Sequence, residues 1–238
     1  MELSGIVAMI SGGTQGLGLA LARRFGEEGA AVSICGRDAG KLARTLHMLR
    51  EEGLRCAGLA TDVTDDEQVG AWFAETAKAF GDIHVLVNNA SILGPRAPIS
   101  AYEPEHWRQV IEVNLTGAYL CARAAIEPLT VTRGSMIHVS SGVGDHGRPY
   151  WGAYSASKNG LEALSQILAG ELEEVGIRSN VVDPGAMRTE MRAAAYPDED
   201  PATLPAPAQI ADVFVYLASQ DSADTTGQRF RARDFERP

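Results

Sequence analysis

The chain has 238 residues, 45% hydrophobic and 22% charged, with 21 Lys and Arg against 31 Asp and Glu for a net charge of -10. Such a chain can bury a sizeable core as one large domain, which argues against disorder, and its acidity argues against a general binder of nucleic-acid backbones. No apolar run approaches the roughly 18 to 20 residues of a membrane span, and residues 1–10 lack the pattern of a signal peptide, so a cytoplasmic protein with a small-molecule partner is expected.

In chain order, short β-rich runs at 6–10, 31–34, 55–60, 83–87, 135–139 and 178–182 alternate with segments of helical apolar spacing at 17–28, 39–52, 67–80 and 105–125. Alternation of this kind predicts parallel strands joined by crossover helices, and the right-handed crossover rule puts helices on both faces of one sheet. Thr64 followed by Glu67 reads as a capping box for the third helix, and Pro104 suits a first helical turn. No repeat and no linker divides the chain, so residues 1–238 are expected to form a single domain. Residues 196–207 are acidic and contain four prolines. They cannot be helical throughout, and either a loop over the sheet edge or a lid over a pocket fits them. Cys35, Cys56 and Cys121 are odd in number and lack metal-ligand spacing, so buried free thiols in a reducing compartment are expected. The histidines also lack metal spacing, and no metal is expected.

The first strand is followed by Ser11-Gly12-Gly13-Thr14-Gln15-Gly16-Leu17-Gly18. Between a strand and a helix, such a turn lets a dinucleotide pyrophosphate meet backbone amides and the positive end of the helix dipole, where a Cβ would block approach. An ordinary strand-to-helix turn is the other reading. After the second strand, where an acidic residue would grip ribose hydroxyls, stand Gly36 and Arg37. A guanidinium there can bind a 2′-phosphate, so NADP(H) is expected over NAD(H). Gln15 adds no second positive charge.

Downstream lie Asn114, Ser141, Tyr154 and Lys158, at intervals of 27, 13 and 4 residues. Lys158 is one of three lysines, with Lys41 and Lys78, in a chain that otherwise uses arginine. On a helix, Tyr154 and Lys158 share a face. A free tyrosine has a pKa of about 10; a cation roughly 4 Å away at an effective dielectric of about 20 would stabilise its anion by about 4 kcal/mol, or about three pKa units. Taken separately, each of the four could be an ordinary helix or turn residue. His146 could face the pocket or sit on a surface loop, and Tyr150 and Trp151 could line a substrate site or pack the core.

Together these residues resemble the short-chain dehydrogenase/reductase family, in its short single-domain branch, over residues 5–228. The resemblance implies a Rossmann-like doubly wound sheet of about seven strands. Asp62 and Val63 look like the adenine-contacting pair, and Asn88-Asn89-Ala90 looks like the end of the fourth strand beside the cofactor. Pro184-Gly185 with Thr189 resembles the segment that holds the nicotinamide carboxamide. Asn114, Ser141, Tyr154 and Lys158 match the catalytic tetrad: Tyr154 as acid/base, Ser141 fixing the substrate oxygen, Lys158 also holding the nicotinamide ribose, and Asn114 supporting a proton-replenishing water chain. The expected activity is reduction of a ketone or 3-oxoacyl group with NADPH, including carrier-linked substrates, in a homo-oligomer, tetramer or dimer. Substrate choice falls to residues 92–99 and about 187–206. The chain departs from the family at Ser11, at Ser91, and in the tail after Arg231, which lacks the usual Asp-Gly-Gly. A cofactor-binding sensor that keeps the fold without turnover is the reading from another class.

Overall fold

A computed structural model of the chain describes residues 1–237. In chain order its elements are β1 (Val7–Ile10), α1 (Gly16–Glu27), β2 (Ala31–Gly36), α2 (Ala39–Glu51), β3 (Cys56–Ala60), α3 (Asp66–Phe80), β4 (Val85–Asn88), α4 (Pro104–Ile111), α5 (Gly117–Thr132), β5 (Ser135–Val139), α6 (Gly152–Glu171), β6 (Arg178–Asp183), α7 (Glu190–Ala195), α8 (Asp212–Ala218) and β7 (Arg229–Arg231). The strands form one parallel sheet in the order β3-β2-β1-β4-β5-β6-β7. This is the expected Rossmann-like sheet with helices on both faces.

Alternation along each strand assigns its side chains to two layers. Ala8, Ile10, Val32, Ile34, Val85 and Val87 pack with α1, α2 and α8 on one face. Val7, Met9, Cys35, Leu86 and Met136 pack with α3, α5 and α6 on the other. Each face is dry, which is why the central strands read as continuous apolar runs. Phe25 of α1 is completely buried, a burial that stabilises by about 2 kcal/mol. One polar group inside this core is fully paired: Trp72 Nε1 donates to Ser33 Oγ at 2.9 Å, and the Ser33 and Thr76 hydroxyls lie 2.6 Å apart.

The expected strands and helices are present with ends shifted by one or two residues, except for 105–125. There the chain forms α4, a π-helical turn over Glu112–Thr116, and then α5 as far as Thr132. The expected capping box at Thr64 is not formed. The Thr64 hydroxyl and N–H both donate to Asp62 Oδ1, while Asp65 caps α3 by accepting from the Gln68 N–H at 3.1 Å. A carboxylate next to the first turn out-competes a hydroxyl because it adds charge to the helix dipole. Pro104 does begin α4. Residues 196–207 hold only 3-10 turns, at Pro201–Thr203 and at the start of Pro207–Ile210. The three cysteines are buried free thiols. No helix among the described residues is long and apolar enough to cross a membrane.

Sequential strand order reverses between β1 and β4, so their carboxyl ends open a crevice. The glycine turn and Asn89-Ala90 both enter it.

Candidate active site

The crevice is a cleft of about 910 Å³. Gly12, Thr14, Gln15, Gly16, Leu17, Arg37, Asp62, Val63, Asn89, Ala90, Tyr154, Lys158, Pro184 and Thr189 line it, so most of the expected cofactor residues are brought together. Gly12 has φ +66°, and a Cβ on it would come within 3.0 Å of Ala90 Cα; Gly16 has φ +54°. Gly18 lies inside α1 rather than on the lining, and a Cβ there would strike the Gly12 carbonyl and come within 2.6 Å of Asn89 Nδ2. Its task is to let the helix approach the turn. Ser11 ties the turn to β4, its hydroxyl accepting from the N–H groups of Asn89 and Ala90 at 3.0 Å each. Gln15, the residue before α1, makes no side-chain cap, so the first-turn amides remain open donors facing the cleft. That is the cradle a pyrophosphate requires.

Arg37 is exposed beside this cradle. Its neighbour Asp38 is engaged as the cap of α2, accepting from the Lys41 N–H at 2.8 Å. The same turn brings Lys41 into the cleft, where its Nζ donates to Gln15 Oε1. Gln15 thus has a cation beside it after all, and Lys41 joins Arg37 in a positive corner that sequence reasoning missed. The signal was available: Lys41 is one of three lysines and stands four residues after Arg37.

At the other end of the cleft, α6 presents Tyr154 and Lys158 from one face. Lys158 is 2% exposed, its Nζ donates to the Val139 carbonyl at 2.8 Å, and it lies 5.7 Å from the centre of the Tyr154 ring. Burial pushes the ammonium down to about 8, against the pull of the Glu162 carboxylate. Burial pushes the Tyr154 phenol up to about 12; nearby Ser141 and Ser91 hydroxyls favour its ionised form and the Asp183 charge opposes it. Among the chain's own groups, burial therefore outweighs the pull of the lysine on this phenol. Both groups are removed from water, and the ammonium reaches a carbonyl instead of the phenol oxygen. Ser91 Oγ is buried without a partner of good hydrogen-bond geometry. It joins the site as a further hydroxyl at the tyrosine.

Asn114 lies in the π-helical turn behind the cleft. Its Oδ1 accepts from Ile92 N–H at 2.8 Å, and its Nδ2 donates to the Ile92 carbonyl at 2.9 Å and to Ser157 Oγ at 3.1 Å. Its side chain pins the segment after β4 to α6. Gly185, at φ +69°, donates its N–H to Asp183 Oδ1 at 3.0 Å, and Thr189 caps α7 through the Arg192 N–H.

An aromatic stack lies beside Tyr154. Trp151 lies 5.8 Å from Tyr154 and 6.1 Å from Tyr196, and Arg96 stacks on both Trp151 and Tyr196 with Cζ at 4.9 and 4.7 Å. Arg96 Nη1 donates to the Ala195 carbonyl at 2.6 Å. Trp151 thus belongs to the site rim. Tyr150 is exposed at φ +70°, and His146 is an exposed loop residue 2.5 Å from Asp145 Oδ1. Among the described residues no group of His, Cys, Asp and Glu could hold a metal.

Residues 6–200 match the sequence profile of the short chain dehydrogenase family. The chain is 36% identical over 233 residues to the cis-4-hydroxycyclohexanecarboxylate dehydrogenase of Sinomonas cyclohexanicum, covering 93% of this chain and 92% of that one. It is 35% identical over 240 residues to the 3alpha-hydroxysteroid dehydrogenase of Mediterraneibacter gnavus, covering 96% and 95%. A Shigella flexneri 2a protein, classed provisionally as a short chain dehydrogenase and solved with NADP, superposes with a TM-score of 0.93 at 31% identity over 98% of both chains.

Proposed function

The chain belongs to the short-chain dehydrogenase family, and from that premise we propose that it reduces a ketone or 3-oxoacyl carbonyl to an alcohol with NADPH, reversibly, with Tyr154 as general acid/base. The observation that carries this reading is that Tyr154, with the Ser141 hydroxyl beside it, and Lys158 stand at one end of a cleft whose other end is an open amide cradle flanked by Arg37 and Lys41. When bound, the nicotinamide supplies or accepts the hydride.

The residues present fit such a cofactor. Amides from Gln15 to Leu17 would hold the pyrophosphate, with Arg37 and Lys41 on the 2′-phosphate, and the Shigella relative bound to NADP supports this choice. Asp62 and Val63 would border the adenine, Asn89 and Ala90 the middle of the cofactor, and Pro184, Gly185 and Thr189 the nicotinamide end. In reduction, the Tyr154 hydroxyl gives its proton to the carbonyl oxygen while the Ser141 hydroxyl donates a hydrogen bond to that oxygen. A phenol held near 12 is protonated and ready to donate at neutral pH. Lys158, its ammonium 5.7 Å from the ring centre, limits the cost of the tyrosinate that remains.

The segment 187–206, pinned by Arg96, forms the substrate-binding part of a single domain. Exposed Trp107, Tyr119 and Ile167 on α4, α5 and α6 suit an interface between copies of this cytoplasmic enzyme.

Fluorescence titration with NADPH and NADH, followed by a panel of ketones and 3-oxoacyl thioesters, tests the reading. Tight NADPH binding and substrate-dependent loss of the reduced nicotinamide are expected. NADH preference would overturn the cofactor choice alone, and binding of neither would overturn the oxidoreductase reading. Light scattering on the purified protein tests the assembly.

A further inference from the structure

We propose that Arg229, contributed by the last strand, is a positioning residue of the active centre, gripping the backbone of Ser141 and cancelling the carboxylates of Glu162 and Asp183 behind Tyr154 and Lys158. The inference rests on the reading of Tyr154 as the proton donor.

β7 is three residues long and pairs with β6 at the sheet edge, Arg229 opposite Val181. From there one guanidinium reaches three elements. Its Nε lies 3.1 Å from both carboxylate oxygens of Glu162, one turn after Lys158 on α6. Its Nη2 donates to the Ser141 carbonyl at 3.2 Å and to Asp183 Oδ2 at 3.4 Å. The side chains of Arg229, Glu162 and Asp183 are 23%, 11% and 10% exposed, so the charges are largely removed from water. Carboxylates in such a place require a partner.

The loop after β5 is seated on this group. Ser140 Oγ donates to Glu162 Oε1 at 2.5 Å. Gly144 closes so tightly over the pair that a Cβ would meet Ser140 Oγ and lie 2.6 Å from Glu162 Oε1. Ser140 is thus anchored through its hydroxyl and Ser141 through its carbonyl. The Ser141 hydroxyl is aimed by contacts on either side of it.

The charged and titratable groups around this point come from five places. They are Tyr154, Lys158 and Glu162 on α6, Asp183 on β6, Asp145 and His146 after β5, Arg229 and Arg231 on β7, and His138 on β5. Arg229 Nη2 and Arg231 Nη2 each lie 3.9 Å from Asp145 Oδ2. Asp183 opposes ionisation of Tyr154, whereas Glu162 keeps Lys158 charged. Losing Arg229 would expose Tyr154 to both effects in opposite senses. An Asp183→Asn partner isolates the first.

The test compares wild type, Arg229→Ala, Arg229→Lys, Asp183→Asn and Arg229→Ala/Asp183→Asn. Alcohol oxidation at saturating NADP is followed against pH, with NADPH affinity by fluorescence and backbone hydrogen exchange of residues 140–145 in the protein alone. For Arg229→Ala we expect kcat lowered at least about tenfold by misplacement of Ser141, NADPH affinity within about twofold, and faster exchange over 140–145. Asp183→Asn should lower the pH of the ascending limb by at least about half a unit more in the Arg229→Ala background than in wild type, because only there is its charge uncancelled. Arg229→Lys should restore the limb while kcat stays lowered, since an ammonium keeps the charge and loses the fork. Equal shifts from Asp183→Asn in both backgrounds, with unchanged exchange, would overturn the proposal. A wild-type protein that binds NADPH but turns over no alcohol or carbonyl would instead overturn the functional reading.

Discussion

Tyr154 is held protonated by burial, so its contribution to catalysis depends on what happens to its proton. Two hydroxyls, Ser141 and Ser91, favour release, while Asp183 opposes it. Replacing the phenol by Tyr154→Phe removes the donor but leaves the ring against Trp151. Turnover should fall by a factor of about 10² to 10⁴, the range for loss of a general acid, with NADPH affinity nearly unchanged. Steady-state kinetics beside a fluorescence titration checks this, and near-normal turnover would remove Tyr154 from its role. At the opposite end of the cleft, Arg37 and Lys41 are the charges available to a 2′-phosphate. Arg37→Ala should weaken NADPH by roughly 10- to 100-fold, the worth of a hydrogen bond to a charged group, and leave NADH within about twofold. Lys41→Ala should act in the same direction and more weakly, because a point charge lacks the fork. Equal losses for both nucleotides would place these residues elsewhere on the cofactor.

The elements differ in how plainly the sequence announces them. β5 is a run of buried residues between polar ends, and 135–139 is read without error. Tyr154 and Lys158 are legible as a pair because a helix puts residues four apart on one face. The π-helical turn at Glu112–Thr116 is not, since one extra residue disturbs the apolar phase only locally. It coincides with a tertiary bond: Asn114 reaches Ile92, 22 residues earlier in the chain. Arg229 is hidden for the same reason, its partners Ser141 and Glu162 lying 88 and 67 residues away. The depth at which Tyr154 and Lys158 are buried is not legible either, because spacing gives proximity but not burial. Asn114 carries an element-scale prediction. Asn114→Ala would strip the Ile92 N–H and carbonyl of their partners in a half-buried loop, at a cost of roughly 2 to 4 kcal/mol. Urea denaturation should show that loss with little change in slope. A loss under about 0.5 kcal/mol would mean that water replaces the amide without penalty.

At the scale of the whole molecule, the two apolar layers meet at a sheet that contains few titratable groups, and His138 in β5 is the most exposed to acid in its consequences. It is fully buried beside Asn88 of β4, whose Nδ2 lies 3.3 Å from His138 Nδ1, and its Nε2 has no partner. Burial, with Lys158 nearby, depresses it from its ordinary 6.5 to about 4. The folded protein therefore binds fewer protons than the unfolded chain between these values. Stability is complete above pH 6.5 and is lost progressively as pH falls toward 4, by a total on the order of 3 kcal/mol. Lys158 has the same sign at the alkaline side, where stability should rise from about 8 toward 10.5. Because His138 lies in the middle of the sheet, protonation requires global opening, so the effect should appear in the whole unfolding transition. Urea midpoints measured from pH 7 to pH 4 should fall steeply for the wild type. In His138→Gln they should start lower, from lost packing, and fall less. Parallel curves would remove His138 as the source of the loss, since the carboxylates that cap α2 and α3, Asp38 and Asp65, are lowered from their ordinary 3.8 by the amides they accept from and act only near and below that value.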